Sequence, residues 1–267
     1  SNVTVHMRGR AILDAVIADL LTERGMETAT DVVVGGCSAG GMAVYLNCDH
    51  WAESIAAANA KASVRCLADA GWFPLIPTTN DCPHGCFENQ FFPSEWFNGV
   101  WQTGFSNHNA SVSMHPKCLA DHNASTEWLC TMPQVAAKYV KTPLFAFNSK
   151  YDAFQIPNME RCLGNATSTD KFAPCTPAQM TAWGSMLTSQ VKEWLATPLA
   201  QASGHAAFLS SCYFHCGSKP TIGVVKSGEK GITGMQAFAN WRTKPTNMLW
   251  DTSAPWNSST GCGVLVP

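Results

Sequence analysis

Val32-Val33-Val34 runs straight into Gly35-Gly36-Cys37-Ser38-Ala39-Gly40-Gly41, and this junction constrains the fold more than any other stretch of the chain. Three β-branched residues are too few for a helix. Being apolar on both faces, they suit a central parallel strand covered by helices on each side. Met42 to Cys48 then continues with a helical pattern. A strand, a glycine-rich reversal and a helix in succession form a sharp turn that lifts its middle residue above the sheet edge. That residue is Ser38, inside Gly36-x-Ser38-x-Gly40. Glycine is expected at Gly36 and Gly40 because side chains there would collide with the neighbouring strand and helix. The uncharged stretch Val32–Cys48 covers 17 residues and holds four glycines. It is shorter than the ~20 residues needed to span a bilayer, so no membrane span is expected.

The remaining pattern alternates in the same way. Ile12, Leu13, Val16, Ile17, Leu20 and Leu21 recur at helical spacing, with Gly25 as a C-terminal stop. Val64–Leu67 and Leu144–Phe147 read as further strands. Thr176-Pro177 reads as a helix start, with Met180, Trp183, Leu187, Val191 and Trp194 along one face. A last helix is expected over Ile232–Trp241. Residues 74–132, rich in Asn, Pro, Gly and aromatics, read as a loop-rich insertion with one helix from Ser94. The whole, residues 1–267, is expected to be a single α/β domain.

Composition bears on surroundings. Apolar residues make up 46% of the chain, enough for a sizeable core, while charged residues make up only 13%. Seventeen basic and nineteen acidic residues leave a net charge of −2 without runs, which gives no footprint for nucleic acid. Twelve cysteines and five Asn-x-Ser/Thr sequons, at Asn2, Asn109, Asn123, Asn165 and Asn257, point to an oxidising, secretory setting with disulfides and attached glycan. The chain begins Ser1-Asn2-Val3 with no signal peptide, which is expected to reflect processing or a longer parent chain.

A strand–turn–helix around G-x-S-x-G is the arrangement called a nucleophile elbow. The serine attacks, and the N–H of the next residue, Ala39, stabilises a developing oxyanion. A serine nucleophile needs a histidine base and a carboxylate to orient it, in the chain order Ser, Asp, His. Asp152 follows the Leu144–Phe147 strand. Two histidines lie beyond it, His205 and His215, and order alone leaves both open. His215 sits in Ser211-Cys212-Tyr213-Phe214-His215-Cys216, where a disulfide could hold the loop. Cys82-Pro-His84-Gly-Cys86 with Cys212, His215 and Cys216 offers a competing zinc reading. Its spacings are loose and disulfides would consume the same thiols, so no metal is expected. Trp72, Trp96 and Trp101 offer a sugar-stacking surface or, more simply, core.

Gly36-Cys37-Ser38-Ala39-Gly40-Gly41 resembles the elbow of the pectin acetylesterase and Notum family. So do Arg8-Gly9-Arg10, Asn47-Cys48-Asp49, Leu67-Ala68-Asp69-Ala70-Gly71-Trp72-Phe73, Tyr151-Asp152-x-x-Gln155 and Ser211-Cys212-x-x-His215, in the family's order. The resemblance implies an α/β-hydrolase-like fold with a mostly parallel sheet. It implies a secreted or cell-wall serine carboxylesterase with no metal or other cofactor; a monomer is expected. Ser38 matches the nucleophile, Asp152 the acid and His215 the base. The implied substrate is an O-acetylated polysaccharide such as pectin. Deacylation of a lipidated protein and a catalytically inactive carbohydrate-binding relic are the alternatives. The family's upstream Gly-Gly-Gly-Trp-Cys loop, which supplies further oxyanion donors, has no counterpart in these residues. The chain therefore reads as the C-terminal two-thirds of a member, lacking its N-terminal strands.

Overall fold

Five parallel strands make the central sheet of the computed structural model, which describes residues 6–75, 94–160, 175–217, 226–227 and 232–251. In chain order the elements are α1 (Gly9–Glu23), β1 (Asp31–Cys37), α2 (Ala39–Ala58), β2 (Ser63–Asp69), α3 (Ser94–Asn107), α4 (Pro116–Ala120), α5 (Pro133–Ala136), β3 (Leu144–Ser149), α6 (Pro177–Leu195), α7 (Pro198–Ser203), β4 (Ala206–Ser210), β5 (Lys226–Ser227), β6 (Ile232–Thr233), α8 (Gly234–Thr243) and β7 (Met248–Asp251). The main sheet runs β1-β2-β3-β4-β7, and β5 and β6 form a small antiparallel ribbon. Strictly sequential parallel pairing requires a crossover between neighbours, and α2 and α6 are two of the helices that supply it.

Alternation along the strands divides the core in two. Cys66, Ala68, Leu144, Ala146, Ala207 and Leu209 pack on one face against Val44, Tyr45 and Cys48 of α2 and Leu187, Val191 and Trp194 of α6. Leu67, Phe145, Phe147, Ala206 and Phe208 pack on the other against Ala237, Phe238 and Trp241 of α8. Strands β3 and β4 are buried along their whole length, as parallel strands between helical layers should be. The capping boxes Thr176/Gln179 and Thr233/Gln236 set the starts of α6 and α8. In the second case Ile232 falls in β6, so the last helix begins two residues later than expected.

Two further expectations are corrected, for β1 and for α1, and the simpler reading of Trp72 holds. β1 is not central among the described strands: it pairs with β2 alone, and its exposure alternates, with Val33 37% exposed. Val34 packs into the core beside α2, while on the opposite face Val33 stays exposed between Asp31, which pairs with Arg242 of α8 at 3.2 Å, and the disulfide-bonded Cys37. The apolar stripe of α1 is likewise buried only at Ile17, while Ile12 and Val16 stay exposed, because α1 lies outermost against α2. Trp72 is fully buried, with its ring centroid 5.4 Å from Trp194 and 5.6 Å from Tyr45, and so belongs to the core rather than to a sugar platform. Trp101 packs against a further apolar cluster, and the Trp96 side chain lies outside the described set.

Cys37–Cys216, Cys48–Cys66 and Cys118–Cys130 are disulfide-bonded. Of the zinc reading, Cys82, His84 and Cys86 lie outside the described residues, and the disulfide to Cys37 takes the Cys216 thiol. Asn109 and Asn123 are exposed, whereas Asn2, Asn165 and Asn257 lie outside the described residues. No helix among the described residues is long and apolar enough to cross a membrane.

Candidate active site

β1 ends at Cys37 and the chain reverses into α2 through a single residue, Ser38, at φ 60° and ψ −123°. A side chain at positive φ costs about 1–3 kcal/mol and persists only where its surroundings over-determine it. Here the Ser38 N–H donates to the Asp69 carbonyl at 2.9 Å, and the Ser38 carbonyl accepts from the Met42 N–H at 2.9 Å. A Cβ on Gly36 would lie 2.4 Å from the Gly40 carbonyl oxygen, so glycine is required there. Gly40 itself faces open space, contrary to the steric role expected of it. That role belongs to Gly41, whose Cβ would lie 2.4 Å from the Asp69 carbonyl oxygen and 2.9 Å from the Gly71 Cα. The elbow therefore packs backbone to backbone on the chain leaving β2. Ala39 is the first residue of α2, where N–H groups lack intrahelical partners and carry the positive end of the helix dipole.

Asp152 and His215 come from the loops after β3 and β4. Lys150 N–H donates to the Ser210 carbonyl at 2.7 Å, and Ala153 N–H to the Phe214 carbonyl at 3.2 Å, so the two loops are laced together. Asp152 is fully buried. Its Oδ1 accepts from the Phe154 N–H at 2.8 Å and the Gln155 N–H at 3.0 Å, and both carboxylate oxygens lie 2.8 Å from His215 Nδ1. Such partners offset the cost of taking a carboxylate out of water. They also leave Nδ1 of the imidazole as donor. His215 Nε2 is buried without a hydrogen-bond partner among the described residues. Phe154, 45% exposed, stacks on the imidazole at 5.2 Å between centroids.

The Cys37–Cys216 disulfide brings this pair to Ser38. It joins the residue before Ser38 to the residue after His215, with Cα atoms 5.6 Å apart. His205, the other candidate base, lies at the opposite end of β4. Its Nδ1 accepts from the Leu144 N–H at 3.1 Å and its Nε2 donates to the Val140 carbonyl at 2.9 Å. Burial holds its pKa below the usual histidine range, against smaller opposing contributions from Val140 and Asp49. Order along the chain could not separate the two histidines; the surroundings do.

Two supports had no assigned role in the sequence reading. Gln155, fully buried, donates from Nε2 to the Trp72 carbonyl at 3.1 Å, while Asn148 Oδ1 accepts from the Trp72 N–H at 3.1 Å. These amides fasten the chain after β2 beside the elbow. Gln155 stands in the Tyr151-Asp152-x-x-Gln155 block, and that was the one available signal.

The pectinacetylesterase family model matches residues 1–261. Pectin acetylesterase 11 of Arabidopsis thaliana is 32% identical over 242 residues, covering 86% of this chain and 54% of its own length. A palmitoleoyl-protein carboxylesterase NOTUM of Schmidtea mediterranea is 25% identical over 214 residues, covering 79% of this chain and 36% of its own. Among solved structures, the Wnt deacylase Notum from Drosophila superposes with a TM-score of 0.69 at 22% identity, covering 97% of this chain and 66% of that one. That likeness carries the fold, an α/β-hydrolase sheet flanked by helices. The chain spans about half the length of the curated plant relatives first matched, at 54% each. With its family model covering nearly all of it, this chain belongs to the pectinacetylesterase family.

Proposed function

We propose that the chain is the catalytic part of a secreted, monomeric serine carboxylesterase that removes O-acetyl groups from a polysaccharide such as pectin, its 267 residues acting as one domain. The observation that carries the reading is the buried Asp152–His215 pair at 2.8 Å, linked through Cys37–Cys216 to a serine at positive φ. Ser38 Oγ attacks the ester carbonyl carbon while His215 Nε2 takes its proton. Asp152 holds the imidazole with Nδ1 as donor and stabilises the imidazolium. The Ala39 N–H receives the oxyanion. Collapse expels the sugar hydroxyl, which takes its proton from Nε2. Water then attacks the acyl-enzyme by the same route and releases acetate, restoring Ser38. The unpartnered Nε2 suits this role, since catalytic hydrogen bonds commonly tighten only with substrate in place.

An acetylated polysaccharide is favoured by the relatives named pectin acetylesterases, and disulfides and exposed sequons favour an extracellular or cell-wall setting with glycan on Asn109 and Asn123. The test is hydrolysis of p-nitrophenyl acetate and p-nitrophenyl octanoate beside a Ser38→Ala control. Serine-dependent turnover favouring acetate is the expected result. A preference for octanoate would replace the acetylesterase with a lipid deacylase. Activity undiminished in Ser38→Ala would overturn the serine mechanism, and a folded protein without serine-dependent turnover would point to the inactive carbohydrate-binding alternative.

A further inference from the structure

Asp69 is the last residue of β2 and is 1% exposed, yet the mechanism above gives it no task. A buried carboxylate is costly unless its bonds matter to the fold or to the site. Its backbone carbonyl accepts from the Ser38 N–H at 2.9 Å, and its side-chain Oδ1 accepts from the Gly217 N–H at 3.0 Å. Gly217 follows Cys216, which follows His215. The contacts therefore close a ring: Ser38 to Cys37, across the disulfide to Cys216 and Gly217, through Oδ1 to Asp69, and from its carbonyl back to Ser38.

The backbone around this ring is strained. Among the described residues, four non-glycine residues have positive φ, and three of them sit on or beside the ring: Ser38 at 60°, Ala70 at 48° and Cys216 at 63°. Gly217 is pressed against aromatic rings so closely that a Cβ would lie 2.4 Å from Phe214 and 2.7 Å from Phe147. Clustered strain of this kind survives only where the surroundings over-determine it, and it is characteristic of functional sites.

We infer that Asp69 is a positioning residue that, together with the Cys37–Cys216 disulfide, sets the separation between Ser38 and His215. The inference rests on the serine esterase reading and deepens it. Asp69 does not touch the reacting atoms; it fixes the nucleophile through its carbonyl and the histidine loop through its carboxylate. The disulfide holds the same two segments covalently, so either tie lost alone lets the base drift from the serine.

The test compares Asp69→Ala, Asp69→Asn and Cys37→Ser/Cys216→Ser with the parent in the full chain. Asparagine keeps an oxygen that can accept from Gly217, and alanine does not. The expected result is a kcat about 10²-fold lower for Asp69→Ala and for the double serine variant, with KM unchanged, since misplacing a reacting group by about 1 Å costs that much. Asp69→Asn should recover most of the loss. Hydrogen exchange at Gly217 is measured in parallel and should quicken in Asp69→Ala but not in Asp69→Asn, independently of any turnover. A folded Asp69→Ala with parental kcat, or with parental Gly217 exchange, overturns the inference. Equal kcat losses in Asp69→Asn and Asp69→Ala also overturn it, because a general loss of packing would then suffice. A parent without serine-dependent turnover, but with Gly217 exchange responding as expected, would instead sink the esterase reading and the positioning role with it.

Discussion

The two ends of β4 each hold a histidine, and the two are built for opposite purposes. Both imidazoles stack on an aromatic ring, His205 on Trp194 at 5.3 Å and His215 on Phe154 at 5.2 Å. His205 is fully buried, and each of its nitrogens is bonded to backbone, one at the start of β3 and one at Val140. His215 is held by one nitrogen against a carboxylate, and among the described residues its Nε2 has no hydrogen-bond partner, with the side chain 20% exposed. A histidine with both nitrogens committed to backbone has no proton position to exchange with a substrate. One that is oriented by a carboxylate on a single side does. On the proposed serine mechanism, the contrast makes the N-terminal edge of the sheet construction and the C-terminal edge the working edge, in line with the rule for open parallel sheets.

The largest effect that would sharpen this contrast is on turnover. His215→Ala should lower kcat by about 10⁴–10⁶-fold in a protein that still folds, because base and proton donor are lost together. His205→Ala should leave turnover per folded molecule unchanged while costing about 2–4 kcal/mol, since the Leu144 N–H and the Val140 carbonyl are left buried and unpaired beside a cavity. Steady-state kinetics on p-nitrophenyl acetate and urea unfolding of both variants decide it. If His205→Ala removed turnover from folded protein as completely as His215→Ala, the division between the two ends would be broken.

Asp152→Asn comes next. The amide keeps an oxygen for the Phe154 and Gln155 N–H groups, but it can turn an N–H toward Nδ1 and trap the wrong tautomer. A loss of about 10⁴-fold in kcat with little change in unfolding midpoint is expected. A loss below tenfold would mean that the carboxylate merely fastens the loop.

How far this arrangement was legible beforehand depended on how local the cause was. The elbow is encoded within a few residues: three valines, the glycines and a helical run place Ser38 unaided. Thr176-Pro177 likewise announces α6 through a capping box that closes within three residues. β4 was not visible, because Ala206-Ala207-Phe208-Leu209 has weak strand preference and becomes a strand by fitting between β3 and β7. Nor could three valines reveal whether their strand lies centrally or at an edge, since that depends on partners distant in sequence. The histidines show the same limit. His205 meets its partner 61 residues away and His215 meets its carboxylate 63 away, so chain order could not tell them apart, and only the Ser211-Cys212-x-x-His215 block singled out His215. The glycine assignments failed at Gly40 for a related reason: the close approach is made by Gly41 onto the chain leaving β2, which only the packed structure brings near.

The smallest effect concerns pH, and it tests the quieter histidine. Burial lowers the pKa of His205 in the folded chain, and a second proton on Nδ1 would displace the Leu144 N–H bond. The unfolded chain has no such restriction and takes up a proton near its ordinary value of about 6.5. Above that pH both states are neutral at this site and its contribution to stability is fully present. As pH falls below it, the unfolded state binds a proton that the folded state refuses, and stability declines until the folded-state pKa is reached. The slope from this one group is at most about 1.4 kcal/mol per pH unit. His205→Asn, which cannot titrate, should be the less stable protein at pH 7.5, and its deficit against the parent should shrink in urea unfolding at pH 5.5. A deficit independent of pH would show that His205 is protonated as readily inside as out, and that its two backbone bonds do not hold it neutral.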